Sequence, residues 1–460
     1  MELGRVKAKI DNYAKIKNID VQVAWDTFFF DEFIHRLSIS KYKNDFIFKG
    51  GFYLQSILGI ETRSTMDIDL KFTKNDVTND ELLTICQEII DSNINNIIFS
   101  IIKIGEIRQE SKYGGKTISI VGKFFNITKR FSVDIGIGDI VTPEPIVFEY
   151  KNALTDENYE LLSYTIESII AEKFETLISK GVNNSRSKDL LDLYLLNQKG
   201  FDRNLLNCSL INTFYSRKTQ LDSVYVNKII NEVFSFERTQ ELYENYTMKN
   251  SFARNVSFSD CEKAVREISS QITFLEKIKL SEYGVEIHVI RHGEDDRGRI
   301  GGWSDNQLTQ IGIKQVIELS NKIDAAYDVI ISSDLNRAKE TAIILNEKLK
   351  NHIQFDERYR EVNNGQLKNL SKAQFMKDYK QFIFSRLKMD QHYPNGESPN
   401  DFYIRIKNSF IDLVKKNKGK KVLLVTHGGV ITVITCLIYG FTYSNLLKLN
   451  IPLASITKFK

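Results

Sequence analysis

Between Asp45 and about Val147 the apolar residues fall into short, β-rich runs: FIFKGG, MDIDLKF, INNIIFSIIKIGEI, KTISIVGKFF and RFSVDIGI. The flanking texture is helical. Residues 1–44 include an aromatic-rich stretch, AWDTFFFDEFIHRL, and residues 150 to about 280 include YTIESIIAEKFETLISKG and SKDLLDLYLLNQKG. After SEYG at 281–284 the pattern changes again. VEIHVIRHG is an apolar strand running into a turn, and DVIISSD, NRAKETAIILNEKL and KVLLVTHGG continue a strand-helix alternation. That alternation predicts a mostly parallel α/β sheet. The pattern divides the chain into 1–150, strands preceded by helices; 151–283, a helical lobe; and 284–460, an α/β domain.

A length of 460 residues agrees with more than one core, and 42% hydrophobic with 27% charged residues describes a well-folded mixed protein. Cys86, Cys208, Cys261 and Cys436 are scattered without a CxxC pair, which argues against a disulfide framework and a zinc site. There is no run of about 18 apolar residues and the start is polar, so neither a membrane span nor a signal peptide is expected, and the expected location is the cytoplasm. Splitting the charge is more informative. Residues 284–460 hold 27 Lys+Arg against 19 Asp+Glu, whereas the preceding residues hold 36 against 40. The basic part suits an anionic ligand such as a phosphate ester. The slightly acidic part has no global nucleic-acid footprint.

In the carboxy-terminal part, His292 follows one apolar strand and His427 another, the place where parallel sheets put their chemistry. Arg291 precedes the first histidine, and Arg337 opens the predicted helix of SSDLNRAKETA. Two arginines and two histidines on such turns make a cationic pocket for a phosphoryl group. A neutral imidazole there can attack phosphorus, and Glu361 of ERYREVNNGQL is the candidate to protonate the leaving oxygen. His288 reads as a locally bonded strand residue, His352 and His392 as surface or loop positions, and Trp303 and Asp305 as shaping a loop over the pocket.

RHGE, GGWSDNQLTQIGIKQV, SSDLNRAKETA, the Glu of REVNNG, GESPNDF and VTHGG follow one another in a set order. In that order they resemble the histidine phosphatase superfamily, in its phosphoglycerate-mutase-like branch, across nearly all of 284–460. The resemblance implies a three-layer α/β/α fold and a phosphomonoester substrate, with no cofactor. It makes His292 the nucleophile, Arg291, Arg337 and His427 the phosphate clamp, and Glu361 the proton donor. Two stretches depart from the family. Asn364-Gly365 and Leu367-Lys368-Asn369 replace an aromatic before the Gly and a Trp-Glu-Gly after it, which touches the leaving group that Glu361 faces. Asp295-Asp296 is acidic where a small hydroxyl residue is usual.

The amino-terminal part carries a different chemistry. In FKGGFYLQSILGIETRSTMDIDLKF, Asp67 and Asp69 stand two apart on a predicted strand and share a face. Carboxylates so placed repel one another unless a cation lies between them, and Mg²⁺ fits their oxygens. Gly50 and Gly51 would let backbone N–H groups approach a triphosphate. Asp134 of RFSVDIGI fits as a third metal ligand, with Asp139 as its rival. Lys49-Gly50-Gly51, Arg63-Ser64-Thr65-Met66-Asp67-Ile68-Asp69 and AEKFETLISKGVNNSRSKDLLDLYLL resemble the DNA-polymerase-beta-like nucleotidyltransferases, in particular AbiEii/AbiGii-type toxins, over about residues 40–200. The resemblance implies an α+β catalytic domain completed by a helical lobe. It places Lys49, Gly50, Gly51, Arg63 and Thr65 at the nucleotide, Lys173 on its phosphates, and Lys188, Asp189 and Asp192 near nucleotide or acceptor. The aromatic residues at 25–34 read as packing, and 200–282 as helical scaffold without a motif.

Taken together, these features predict an α/β multidomain, bifunctional enzyme. One half transfers a nucleotidyl group from an NTP to a hydroxyl acceptor, such as an RNA end, in the manner of a toxin or phage-defence protein. The other hydrolyses a phosphomonoester. Two other readings fit the same residues: a biosynthetic enzyme that nucleotidylates and dephosphorylates one small metabolite, and a nucleotide-sensing or partner-binding module that regulates the phosphatase.

Overall fold

The computed structural model describes residues 2–62, 65–74, 77–92, 95–106, 114–137, 141, 143–296, 298–323 and 326–460. The chain divides into two compact units, Met1–Thr213 with Thr219–Gln271, and Phe214–Lys218 with Ile272–Lys460. Among the described residues no helix is long and apolar enough to cross a membrane.

In the first unit α1 (Leu3–Lys17) and α2 (Val21–Ile39) precede β1 (Phe46–Lys49), α3 (Gly50–Leu58), β2 (Asp67–Phe72), α4 (Asn79–Ile90), β3 (Ile97–Glu106), β4 (Gly115–Phe124), β5 (Ile127–Gly136), β6 (Ile146–Lys151) and β7 (Asn158–Ser163). Helices α5 (Ile166–Lys180), α6 (Ser187–Lys199), α7 (Arg203–Arg217), α8 (Ser223–Ser235), α9 (Glu237–Lys249) and α10 (Phe258–Ser270) follow. The strands form one mixed sheet in the order β3-β4-β5-β2-β1-β7-β6. Asp20 caps α2, Thr78 and Glu81 form a capping box on α4, and Thr165 caps α5. Each cap satisfies an N–H that the first helical turn leaves over.

The aromatic stretch lies in α2 and is core. Phe28, Phe29, Phe30 and Phe33 are buried, meeting Phe124, Phe99, Phe52 and Phe131 edge to face. Such rings gain from both burial and quadrupole geometry. On the same helix Asp31 is buried and accepts from the Tyr150 hydroxyl and the Ala153 N–H. Burial pushes its pKa up to about 7, and those two bonds offset only part of the effect.

The strands run past the position where the sequence pattern turns helical. β7 pairs parallel with β1 and antiparallel with β6. Its residues NYELLS are not strong strand formers, and the period-two burial of Tyr159, Leu161 and Ser163 comes from pairing inside the sheet.

The second unit contains β8 (Glu286–Arg291), α11 (Gln310–Asn321), β9 (Val329–Ser332), α12 (Asn336–Leu349), β10 (Ile353–Phe355), α13 (Lys372–Asp378), α14 (Pro399–Lys416), β11 (Lys421–Thr426), α15 (Gly428–Tyr439) and β12 (Ile456–Phe459). Its sheet order is β10-β9-β11-β8-β12. The first four are parallel neighbours, and β12 closes the edge antiparallel to β8. Successive residues of a strand face opposite sides. Ile287, Val289 and Ile290 of β8 and Val422 to Val425 of β11 are all fully buried, so both faces of the sheet are covered. This is the three-layer arrangement expected for the α/β domain.

Candidate active sites

In the second unit three parallel strands end side by side. The His292 N–H donates to Thr426 O at 3.0 Å, and the Ser333 N–H to Val425 O at 2.9 Å. This register sets His292, His427 and Ser333 on one rim of the sheet, with the His292 and His427 ring centroids 5.1 Å apart. Both rings are buried. Nδ1 of His292 lies 2.7 Å from Gly293 O, a carbonyl that can only accept, so Nδ1 carries the proton and Nε2 the lone pair. Arg337 Nε donates towards that Nε2 at 3.3 Å. Burial, then Arg337 and Arg291, holds His292 well below the usual imidazole range. His427 is depressed in the same way by burial, then Arg337 and His292. Its Nε2 lies 2.9 Å from Ser333 Oγ, while its Nδ1 has no hydrogen-bond partner among the described residues.

The two arginines are held in place by backbone. Arg337 Nη2 donates to Gly302 O at 2.7 Å and Nη1 to Ser304 O at 3.1 Å. Burial lowers its pKa against the opposing charges of Asp295 and Glu361. Arg291 Nη1 donates to Ile451 O at 2.5 Å. Glu361 is brought to this rim by α15: its Oε2 accepts from the Gly429 N–H at 3.0 Å, and its Oε1 from the Val362 N–H at 3.1 Å. A Cβ on Gly429 would run into that carboxylate, so glycine is required there for close approach. Trp303 Nε1 donates to Glu361 O at 2.7 Å, and the Arg360 guanidinium covers the indole at 4.6 Å. The Asp305 carbonyl accepts from Asn336 Nδ2. All five predicted residues therefore share one neighbourhood. His288 lies elsewhere, bonded to Tyr327 and Glu286, and His352 and His392 are exposed.

In the first unit, the candidate carboxylates meet on adjacent strands. Asp69 of β2 is the register partner of Asp134 on β5, and of Lys49 on β1. Each carboxylate has its own donor: Thr65 Oγ1 for Asp67 at 2.6 Å, the Gly51 N–H for Asp69 at 3.0 Å, and Thr117 Oγ1 for Asp134 at 2.7 Å. Burial and then Asp67 raise the Asp69 pKa, with Asp134 adding to it. Asp134 is raised by burial and by Asp67, against the charge of Lys188. Gly50 has φ +70, and a Cβ there would collide with the Asp69 carboxylate. Among the described residues no three His, Cys, Asp or Glu side chains already converge as a metal cage. The donor set nevertheless fits Mg²⁺, which takes one or two carboxylates with waters and substrate phosphates rather than a closed protein site. Carboxylates that raise one another are stabilised by a cation placed among them.

Lys49, Lys173, Asp189, Asp192 and Thr65 are engaged with other residues of that unit. Lys49 Nζ reaches both Glu172 oxygens, at 3.2 and 3.0 Å, and the Tyr164 hydroxyl at 3.3 Å. Lys173 is bound by Asp189 at 2.7 Å and Asp192 at 2.8 Å, with Arg186 on the far oxygen of Asp189. The Thr65 N–H donates to Gln55 Oε1. Arg63 and Asp139 lie outside the described residues.

Family comparisons match both units. Residues 32–261 match the nucleotidyl transferase AbiEii toxin family of type IV TA systems, and residues 287–460 match branch 1 of the histidine phosphatase superfamily. The chain belongs to both families. Each is enzymatic, so one chain carries a nucleotidyltransferase domain and a histidine phosphatase domain. The phosphatase part is 28% identical over 178 residues to a putative phosphoserine phosphatase 2 of Hydrogenobacter thermophilus, covering 37% of this chain and 87% of that protein. It is 30% identical over 171 residues to a metal-independent phosphoserine phosphatase of Arabidopsis thaliana, covering 35% of this chain and 71% of that one. Among solved structures, a mycobacterial glucosyl-3-phosphoglycerate phosphatase aligns at 26% identity over 38% of this chain and 88% of that chain, with TM-score 0.34.

Several residues that hold the five predicted residues in place escaped the sequence reading. Arg405 of α14 forms a bidentate pair with Glu397, at 2.6 and 2.8 Å, and donates to the carbonyls of Arg358, Arg360 and Glu361. Glu397 also accepts from the Asn363 N–H at 2.8 Å. This pair staples the segment that carries Glu361. GESPNDF flagged Glu397 as part of a motif without saying what it holds. Ser333 and Ser304, the partners of His427 and Arg337, gave no signal beyond their place in DVIISSD and GGWSDN.

Proposed function

We propose that the chain is a bifunctional, cytoplasmic enzyme of toxin or phage-defence type. It transfers a nucleotidyl group from an NTP to a hydroxyl acceptor, an RNA end such as that of a tRNA, and it hydrolyses a phosphomonoester through a phosphohistidine. One observation carries the second activity: the His292 ring is tied through Nδ1 to Gly293 O, so its lone pair lies on Nε2 beside Arg337. Nε2 attacks phosphorus as the bond to the leaving oxygen breaks. Arg291, Arg337 and His427 take up the charge on the equatorial oxygens. Glu361 gives a proton to the leaving oxygen, then takes one from the water that cleaves the N–P bond. Phosphate departs with both residues restored. The Arabidopsis relative's description as metal-independent supports a phosphatase that needs no cofactor.

For the transferase, Asp67, Asp69 and Asp134 would hold Mg²⁺, which when bound supplies the positive charge a triphosphate and three carboxylates need to share a site. Gly50 and Gly51 admit the phosphates to the backbone, and Lys188 stands on the α6 side of the carboxylates. The acceptor oxygen displaces pyrophosphate at the α-phosphorus. The toxin description of the matched family supports an acceptor whose modification arrests growth, and the fused phosphatase limits that effect.

Wild type, Asp69→Ala and His292→Ala are incubated with each labelled NTP and total cellular RNA. Label should reach RNA in wild type and His292→Ala but not in Asp69→Ala. Transfer to a small molecule instead would replace the RNA reading by the biosynthetic one. Expressed in cells, His292→Ala should be more toxic than wild type, and equal toxicity would remove the proposed restraint.

A further inference from the structure

The carboxylate of Asp295 sits against the phosphate clamp. Its Oδ2 lies 3.5 Å from Arg337 Nε, the same nitrogen that lies 3.3 Å from His292 Nε2. Asn306 Nδ2 approaches the same Oδ2 at 3.4 Å, and a backbone bridge to Leu308 fixes the residue's position. Of the other two guanidinium nitrogens, Nη1 donates to Ser304 through its carbonyl and hydroxyl, and Nη2 donates to Gly302 O. The Nε edge lies 3.3 Å from His292 Nε2, so it faces a phosphoryl group bonded to that nitrogen. Here the Asp295 carboxylate stands beside that same edge as an ion-pair partner.

The charge balance makes this costly for a phosphate. Both histidines are held well below the usual imidazole range, so they are neutral and add no charge. Of the four clamp residues in contact with this pocket, Arg291 and Arg337 carry the positive charge that offsets a phosphoryl dianion, and Asp295 sets a negative charge against Arg337. Like charges a few ångströms apart in a buried site repel strongly.

We infer that Asp295 is a built-in stand-in for a phosphoryl oxygen: it occupies Arg337 in the free enzyme and competes with every phosphoryl anion, whatever its leaving group. This rests on the phosphatase reading of the site. Its consequence is weak retention of phosphate after the N–P bond is cleaved. Product inhibition is low, and the phosphohistidine is committed to release of inorganic phosphate rather than to handing phosphate back to an alcohol.

Inhibition constants for inorganic phosphate and vanadate are measured on the full chain, with KM and kcat for p-nitrophenyl phosphate and an alkyl phosphate. Asp295→Asn keeps a partner for Asn306 and removes the charge. Both inhibition constants should fall at least tenfold, and KM should fall by a similar factor for both substrates while kcat does not rise. Asp296→Asn removes the neighbouring charge, which faces Arg299 and the Gly298 N–H, and should change none of these. Unchanged or higher inhibition constants in Asp295→Asn, with an unchanged melting temperature, would overturn the inference. So would a fall in KM confined to one leaving group, or an equal effect from Asp296→Asn. Absence of His292-dependent hydrolysis in wild type would instead refute the phosphatase reading. Phosphate binding by calorimetry still reads the Asp295 effect in that case.

Discussion

Arg337 Nε points its N–H at the Nε2 lone pair of His292, 3.3 Å away. Burial of the ring disfavours its protonation, and the fixed cation at that atom acts in the same direction. The His292 ring should therefore stay neutral as pH falls through 6.5, and phosphoenzyme formation should persist below the pH at which a free imidazole protonates. Arg337→Ala should move the acid limb of kcat/KM to higher pH and lower kcat/KM by about 10²–10³-fold through loss of charge stabilisation. A pH–rate profile with an NMR titration of His292 checks both.

Gly50→Ala would put a methyl group into the Asp69 carboxylate on a backbone with φ +70. Nucleotidyl transfer should be lost, and the first unit should be destabilised by about 1–3 kcal/mol. The phosphatase activity of the same protein should be unaffected. Transfer assays, thermal melts and p-nitrophenyl phosphate turnover on one preparation separate these outcomes.

Asp31 has a pKa of about 7 in the fold against an ordinary value near 4. The folded state then binds the proton more tightly than the unfolded chain. The contribution of the protonated acid is complete below about pH 4 and declines as pH rises to about 7, by roughly 4 kcal/mol at most. Above pH 7 it is flat. Asp31→Asn keeps an acceptor for the Ala153 N–H and a partner for Tyr150, and carries no charge. It should flatten the stability profile between pH 4 and 7 and be the more stable protein at pH 8, as read by denaturant unfolding at several pH values.

Arg405→Ala should act through Glu361. Without its bonds to three carbonyls the 358–361 segment loosens, and Glu397 loses its bidentate partner. Activity on alkyl phosphates, which need a proton for the leaving oxygen, should fall at least tenfold. Activity on p-nitrophenyl phosphate, whose leaving group needs none, should fall less. A stability loss of about 3 kcal/mol is expected for a part-buried pair cut in half. An equal fall on both substrates would show damage to the clamp rather than to the proton donor.

What could be read from the chain follows from how local each cause is. His292 and His427 each follow an apolar strand directly, so their place at the rim is visible within ten residues. Asp67 and Asp69 are likewise placed by strand period alone. That Asp134 stands beside Asp69 needed the β2–β5 register, which no local pattern states. Lys173, Asp189 and Asp192 were recognisable as a group from the family resemblance. That they bind one another, at 2.7 and 2.8 Å, depends on how α5 and α6 pack. Arg405 was invisible because three of its four partners are backbone carbonyls more than forty residues away, and a carbonyl has no sequence signature. The β7 strand was missed because pairing, not propensity, makes it extended.

The order of the strands in the second sheet sets a timetable for synthesis. β8, which ends at Arg291, has β11 and β12 as its neighbours, and these are made only when translation reaches residues 421–459. The seven strands described in the first unit have by then long left the ribosome. At about 5–20 residues per second, the gap between residue 271 and residue 459 lasts roughly 10–40 s. Every newly made molecule thus passes through an interval in which the first sheet can be complete while the rim that bears His292 and His427 does not yet exist. A ribosome stalled within that interval would hold a nascent chain that carries the one catalyst without the other.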